Sequence, residues 1–294
     1  MHQAKKTVDS SDEMILKKVA GFQLLLLFGV LWFLALQSAI VRFIAMVSAS
    51  SYYFSSNKEK EGSASVLQGF RFAYIHHLGS LALGSFIIAL IQLLRILFVY
   101  AAQKAKNASG DNKVIAMVAK CGECCLGCLE KVCDYINSAG YAYMAVSGDN
   151  FCKAAWNGFL LNIKHGAKFA FANLLANAFI FISKLAIVTL NCFTCFFIMK
   201  RITGDLAEIE SVAHPLLCVG IVTYITANIF LGLFDEAVLA LMTCLCIDTD
   251  LNGEPKFGPP TFYDEVKFFG GNKKKKGDKG VHEDEEITDT NSMK

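Results

Sequence analysis

The sequence predicts an all-α polytopic membrane protein with about four transmembrane helices. Three observations carry this. Charged residues make up only 18% of the 294 residues and apolar ones 54%, with a mean hydropathy of +0.42; soluble domains carry roughly 25% charge. That charge sits at the ends and in loops, leaving stretches near the roughly 20 apolar residues a helix needs to cross a bilayer. With only four prolines and no period-two alternation, helices rather than a barrel are expected, because lipid offers no partners for backbone N–H and C=O groups. The net charge of +2 is uninformative, but no basic patch has the size or aromatic interleaving that nucleic-acid binding needs, so no nucleic-acid partner is expected.

The elements follow in order. Residues 1–18 hold four Lys and are expected to be a cytoplasmic N-terminus. A transmembrane domain follows over 19–253. Its first span, 19–47, starts with a charge-free run from Val19 to Val41. This run is longer than a signal-peptide core, and Ser51-Tyr-Tyr-Phe54 is a poor cleavage site, so the helix is read as retained. The second span, 78–102, is charge-free from Leu78 to Leu94 and continues past Arg95. The third, 168–199, is apolar from Phe169 to Met199 except for Lys184. The fourth, 214–236, runs charge-free from Pro215 to Phe234 and meets Asp235 and Glu236 before continuing apolar to Ile247.

Residues 112–166 are expected to be interfacial on the cytoplasmic side. Asp149, Asn150, Lys153 and Lys164 cut Tyr135–Gly166 into apolar pieces of about ten residues, too short to span. A fifth span there is the minority alternative. Lys and Arg counts are four in 1–18, three in 48–75, seven in 101–166, two in 200–214 and eight in 247–294. High and low values alternate, which by the positive-inside rule implies four spans with both termini cytoplasmic. Residues 254–294 form a polar cytoplasmic tail, with lysines at 273–276 and acids at 283–286, expected to be disordered.

There are eleven cysteines. Cys121, Cys124, Cys125 and Cys128, with Cys133 beyond, fall in the segment assigned to the cytoplasm, where disulfides are disfavoured. Their i, i+3, i+4, i+7 spacing is one face of a helix, whereas zinc frameworks separate their Cys pairs by a dozen or more residues. An amphipathic surface helix over 115–137, S-palmitoylation of these four thiols and metal binding stay open as readings; no metal is expected. Cys192 and Cys195, spaced i, i+3, have poor geometry for a disulfide.

Ionisable residues at membrane depth are costly and are functional candidates. Lys184 is the clearest, as a structural tether or gate. Arg42 and Arg95 sit near span ends, where snorkelling accounts for them. Asp235 and Glu236 form either a solvated boundary or a cation-attracting vestibule. His76 and His77 precede the second span at an interfacial position. Tyr224, Asn228, Asn191, Asn157 and Asn162 either line a polar path or join helices, and small residues such as Gly79, Gly84 and Gly220 permit close helix approach.

Several segments carry a resemblance. His77-Leu-Gly-Ser-Leu-Ala-Leu-Gly-Ser-Phe-Ile-Ile-Ala-Leu-Ile-Gln92, the Cys128-Leu-Glu-Lys131 run, Tyr141-Ala-Tyr-Met-Ala with Gly148-Asp-Asn-Phe-Cys152, Ser183-Lys184-Leu185, and Phe234-Asp-Glu-Ala-Val-Leu-Ala-Leu-Met-Thr-Cys244 with Asp248 and Asn252-Gly253 resemble, in order, motifs from the C-terminal half of choline transporter-like proteins. The resemblance covers about Gly69 to Gly253. Leu239 and Ala240 stand where the family pattern has Asp and Thr, Asp235 where it has Glu, and Ser183 where it has Gly. Family members are expected to have about ten spans, so this chain corresponds to the final four or so.

The resemblance implies transport of choline or a related organic cation, or part of such a transporter. A quaternary ammonium donates no N–H hydrogen bond, so aromatic faces recognise it, each contributing about 0.5–2 kcal/mol. Trp32, Tyr74, Tyr100 and Tyr224 are the aromatic candidates, with Asn228, Asp235 and Glu236 as polar pathway candidates. The partners implied are membrane lipid, the cation and further subunits of a membrane complex. A plasma-membrane location is favoured over an organellar one. A structural or assembly subunit is the alternative. An enzyme of lipid metabolism is weakest, since no paired acidic motif, nucleophile elbow or phosphate loop occurs, and no cofactor is expected.

Overall fold

The computed structural model describes residues 2–109, 113–203 and 213–260. They form α1 (His2–Ser55), α2 (Val66–Arg71), a π-helical turn (Phe72–His76), α3 (Leu78–Ser109), α4 (Lys113–Ser147), α5 (Phe151–Lys164), α6 (Gly166–Thr203) and α7 (Ala213–Asn252). Among these residues there is no strand. Parts of α1, α3, α6 and α7 are long and apolar enough to cross a membrane, over Ile15–Ser55, Leu78–Ala105, Gly166–Arg201 and Ala213–Asn252. Their large apolar side chains are largely uncovered by the rest of the chain, for example Leu25, Phe33, Leu174, Phe181, Ile229 and Phe230. Such exposure suits lipid as the surrounding solvent, not water.

Serines close the C-terminal end of α1. Ser56 Oγ donates to the Tyr52 carbonyl at 2.6 Å and accepts from Gly62 N at 2.9 Å. Ser55 and Ser51 hydroxyls accept the amides of Ser63 and Ser65, both at 3.0 Å. Asn57 Oδ1 takes the amides of Glu59 and Lys60. These side chains replace the helical partners the chain loses on turning. Ser65 then caps α2, accepting from Gln68 N, and Gly69 lets α2 settle on Ile44, whose carbonyl a Cβ would approach to 2.8 Å. The π-turn closes with His77 N donating to Phe72 O at 3.0 Å.

The tightest packing lies where the second half of α1 meets α3, α4, α5 and α7. Phe43, Met46, Leu81, Ala142 and Ala240 are essentially inaccessible there. The α4–α5 hairpin is closed by Gly140 against Ala155 and Gly158 against the Ala139 carbonyl. Of the three glycines expected to allow helix approach, Gly84 does so, against Tyr141 and Phe151, and Gly220 has only Cys192 Sγ at 3.5 Å. Gly79 has no such neighbour within 4 Å.

Paired contacts set the direction of each helix. Arg42 meets Glu236, Ser50 meets Cys244 and Tyr53 meets Asp248, so α1 and α7 run parallel. Phe43 meets His77 and Phe28 meets Phe86, so α3 is antiparallel to α1. Gln92 and Arg95 meet Glu130, while Gly84 meets Asn137, so α4 turns back along α3. Phe179 meets Phe234, Lys184 meets Asn228 and Asn191 meets Thr223, so α6 is antiparallel to α7.

This corrects two expectations. The four apolar helices do not alternate in direction, because α3 and α6 point the same way. The start of α1 and the segment after α7 therefore lie at opposite ends of the bundle, whereas the alternating basic counts implied the same side for both. In addition, the second half of α4, part of the segment expected to be interfacial, packs back along α3 and against α1. Polar residues there are paired by neighbouring helices: Asp134 by Arg42, Glu130 by Arg95, and Asn137 by the Gly84 carbonyl. The tail from residue 261, and with it the expected disorder, lies outside the described residues.

Candidate functional site

A crevice of about 1090 Å³, lined by both apolar and charged side chains, runs between α1, α3 and α4. One wall is Leu31, Leu34, Ala35, Ser38, Ala39 and Arg42 of α1; Ser85, Ile88, Gln92 and Arg95 of α3 form another. The α4 side carries Lys120, Glu123, Cys124, Cys128, Glu130, Asp134, Asn137 and Tyr141. Helical spacing explains the α4 contribution: 130, 134, 137 and 141 follow one another at three or four residues, so all fall on one face.

Two ion-paired clusters stand at different heights in it. In one, Arg42 Nη1 donates to Asp134 Oδ1 at 2.9 Å and reaches Ser138 Oγ at 3.5 Å, while its Nε lies 3.4 Å from Glu236 Oε1 on α7. Asp235 is within electrostatic reach of the same guanidinium. In the other, Arg95 Nη1 donates to Glu130 Oε2 at 2.8 Å and Gln92 Nε2 to Glu130 Oε1 at 3.2 Å. Asn137 Nδ2 donates to the Gly84 carbonyl at 2.9 Å. Pairing of this kind is what allows charges to exist at membrane depth. Tyr141 differs: it is 2% exposed, yet its hydroxyl has no hydrogen bond with any described residue.

The sequence candidates are scattered around this crevice. Glu236 joins the first cluster through Arg42, and Asp235 stands beside it. Arg42 and Arg95, read as snorkelling, are instead ion-paired within the bundle. Tyr100 lines a smaller cavity at the Gln92–Arg95–Glu130 end. Trp32 donates to the Ala82 carbonyl at 3.2 Å and packs on Phe28 and Phe86. Tyr74 stacks on Phe70 in a separate cavity with His76, and Tyr224 is 55% exposed on the apolar face of α7. The four aromatic candidates are thus not gathered into one cage. Lys184 Nζ donates to Asn228 Oδ1 at 2.6 Å, joining α6 to α7.

Cys121, Cys124, Cys125 and Cys128 are exposed free thiols on α4, as their spacing predicts, and Cys192 and Cys195 are free. Mutual proximity to Cys121 raises the Cys125 thiol above its ordinary value, which keeps it protonated rather than a reactive thiolate. No group of three or more metal-ligating side chains occurs among the described residues. His77 is buried against Phe43 and Phe72, and that burial, with His76 beside it, lowers its affinity for a proton.

Sequence reasoning missed Glu130, Asp134, Asn137 and Tyr141. The available signal was their recurrence on one helical face within a segment set aside as too polar to cross.

The sequence matches the family described as plasma-membrane choline transporter over residues 2–250. It is 30% identical over 236 residues to choline transporter-like protein 5 of Xenopus tropicalis, covering 79% of this chain and 33% of that protein. It is 30% identical over 241 residues to choline transporter-like protein 2 of Xenopus laevis, covering 80% and 34%. With choline transporter-like protein 3 of Homo sapiens the identity is 26% over 245 residues, covering 82% and 37%. The chain spans about a third of the length of the curated relatives it matches. An ion-paired crevice inside a bundle of lipid-compatible helices, matched by one family along nearly all the described residues, makes this multi-pass membrane protein a member of the choline transporter-like family.

Proposed function

We propose that this chain moves choline or a related organic cation across a membrane, by itself or as part of a larger transporter. The observation that carries the reading is the crevice between α1, α3 and α4. It places carboxylates and basic side chains, with amides and hydroxyls between them, along helices whose outer faces suit lipid. Intramembrane polar residues that face a cavity mark substrate and ion routes by default. The relatives' name supplies the substrate class, and the family description favours the plasma membrane. The family description and the relatives' names are those of transporters, which favours transport over catalysis.

Uptake of labelled choline into liposomes reconstituted with the purified chain tests this. Saturable uptake above that of empty liposomes is expected. Its absence, with the protein folded and inserted, would favour the structural or assembly role, in which the open crevice is filled by other helices.

A further inference from the structure

We propose that the Asp134–Ser138–Tyr141 face of α4, completed by Glu236 of α7, is a binding station for a small ammonium cation bearing a hydroxyl, and that the Arg42 guanidinium holds the cation's place in this conformation. The proposal rests on the transport reading and assigns it a location.

Charge is the first argument. One guanidinium, Arg42, faces three carboxylates: Asp134 at 2.9 Å, Glu236 at 3.4 Å, and Asp235 within electrostatic reach. The side chains of Arg42 and Glu236 are only 30% and 14% exposed. Three carboxylates gathered on one guanidinium at membrane depth, where uncompensated charge is costly, form a place that a monovalent cation can share.

Tyr141 supplies the second, independent argument. Residues 134, 138 and 141 are i, i+4 and i+7, so Tyr141 lies on the α4 face along which Arg42 reaches, and it lines the same crevice as Arg42 and Asp134. Its ring is held by Phe151, with centroids 5.8 Å apart, and by Gly84, whose missing Cβ makes the space for the hydroxyl. That hydroxyl is buried with no hydrogen-bond partner among the described residues, and leaving such a group unpaired is unfavourable. A ligand hydroxyl entering as Arg42 swings aside would pair it. The carboxylates and the tyrosine ring would receive the ammonium head, which needs charge and a π face, not a donor partner.

The test uses the full chain in lipid nanodiscs, with labelled choline and ethyltrimethylammonium, which lacks the hydroxyl. Tyr141→Phe removes only an unpaired hydroxyl, so thermal stability should hold or rise. Choline affinity should fall about three- to tenfold, the value of one hydrogen bond, and ethyltrimethylammonium affinity should stay the same. Arg42→Gln frees the cation's place, so choline should bind it more tightly and raise its unfolding temperature more than that of the native chain. If the native chain binds choline but Tyr141→Phe binds both ligands as the native chain does, the station is overturned while the transport reading stands. Equal weakening of both ligands by Tyr141→Phe overturns the hydroxyl contact. A folded Arg42→Gln that choline neither binds better nor stabilises more overturns the place-holding role; if that variant does not fold, Tyr141→Phe decides alone. If the native chain binds neither ammonium, both the station and the transport reading fall.

Discussion

Lys184 on α6 donates a 2.6 Å hydrogen bond to the Asn228 side-chain carbonyl on α7. The lysine expected to act as a structural tether or gate is held by an amide on the helix it packs against. Asp235 and Glu236 lie about two turns further along α7, at the level of Arg42 and Phe179. This arrangement favours a tether between helices over a substrate ligand.

Lys184→Met and Asn228→Leu should each therefore loosen the α6–α7 pair. The expected cost is about 1 kcal/mol, as for hydrogen bonds between membrane helices, read as a lower unfolding temperature in detergent. The double variant should cost less than the sum of the two. Choline affinity of the folded variants should change little, and a large affinity loss with stability intact would place Lys184 in the binding site.

Asp248 is 2% exposed and collects four donors: Tyr53 Oη at 3.1 Å, Asn252 Nδ2 at 2.8 Å, and the amides of Lys256 and Phe257 at 2.8 and 3.0 Å. Asp248→Ala should destabilise by about 2–4 kcal/mol, because it strands several buried donors at once. Tyr53→Phe, which removes one of them, should cost about 1 kcal/mol. Hydrogen exchange at the Lys256 and Phe257 amides should accelerate strongly in Asp248→Ala; unchanged exchange would show that the segment is held by other contacts.

The parallel course of α1 and α7 makes a prediction about sidedness. In a background with the native cysteines replaced, single cysteines at Lys58 and Lys256 should react with an impermeant maleimide from the same side of the membrane. Cysteines at Lys17 and Asn107 should react from the other side. Labelling of positions 58 and 256 from opposite sides would contradict the helix directions.

His77 carries a pH dependence. Its burial favours the neutral imidazole, so in the window from its ordinary value of about 6.5 down to its lower folded value the unfolded chain binds more protons. Stability is then fully present above about pH 6.5 and is lost as pH falls through that window. The unfolding temperature of the native chain should drop on mild acidification, and His77→Gln should flatten that drop. His76→Asn removes the neighbouring charge and should leave a smaller but still visible fall.

Much was legible before the fold. The four apolar stretches became four helices, since a segment that must meet lipid has to be apolar on almost every side, but α1 and α7 run well beyond the expected ends at 47 and 236, to Ser55 and Asn252. That Cys121, Cys124, Cys125 and Cys128 sit together on one helix followed from their spacing, and the structure adds that they are exposed. The ordered motifs identified the family because local sequence survives even where an Asp–Thr pair of the pattern is Leu239–Ala240. The aromatic candidates fared differently: Trp32, Tyr74, Tyr100 and Tyr224 were chosen by residue type, and residue type does not say which way a helix face turns.

By itself, then, the sequence determined what the bilayer selects: helical class, the spans that touch lipid, and family membership. It did not determine which helices run parallel, that the second half of α4 packs back along α3 and against α1, or that Arg42, Asp134 and Glu236 meet from three helices 92 to 194 residues apart. Hydropathy reports the average environment of a segment and not which of its polar residues a neighbouring helix pairs. Direction and pairing depend on contacts between distant segments, such as Ser50 with Cys244 and Tyr53 with Asp248. Only the packed tertiary structure brings those surfaces together, and with them the crevice in which a cation could be held.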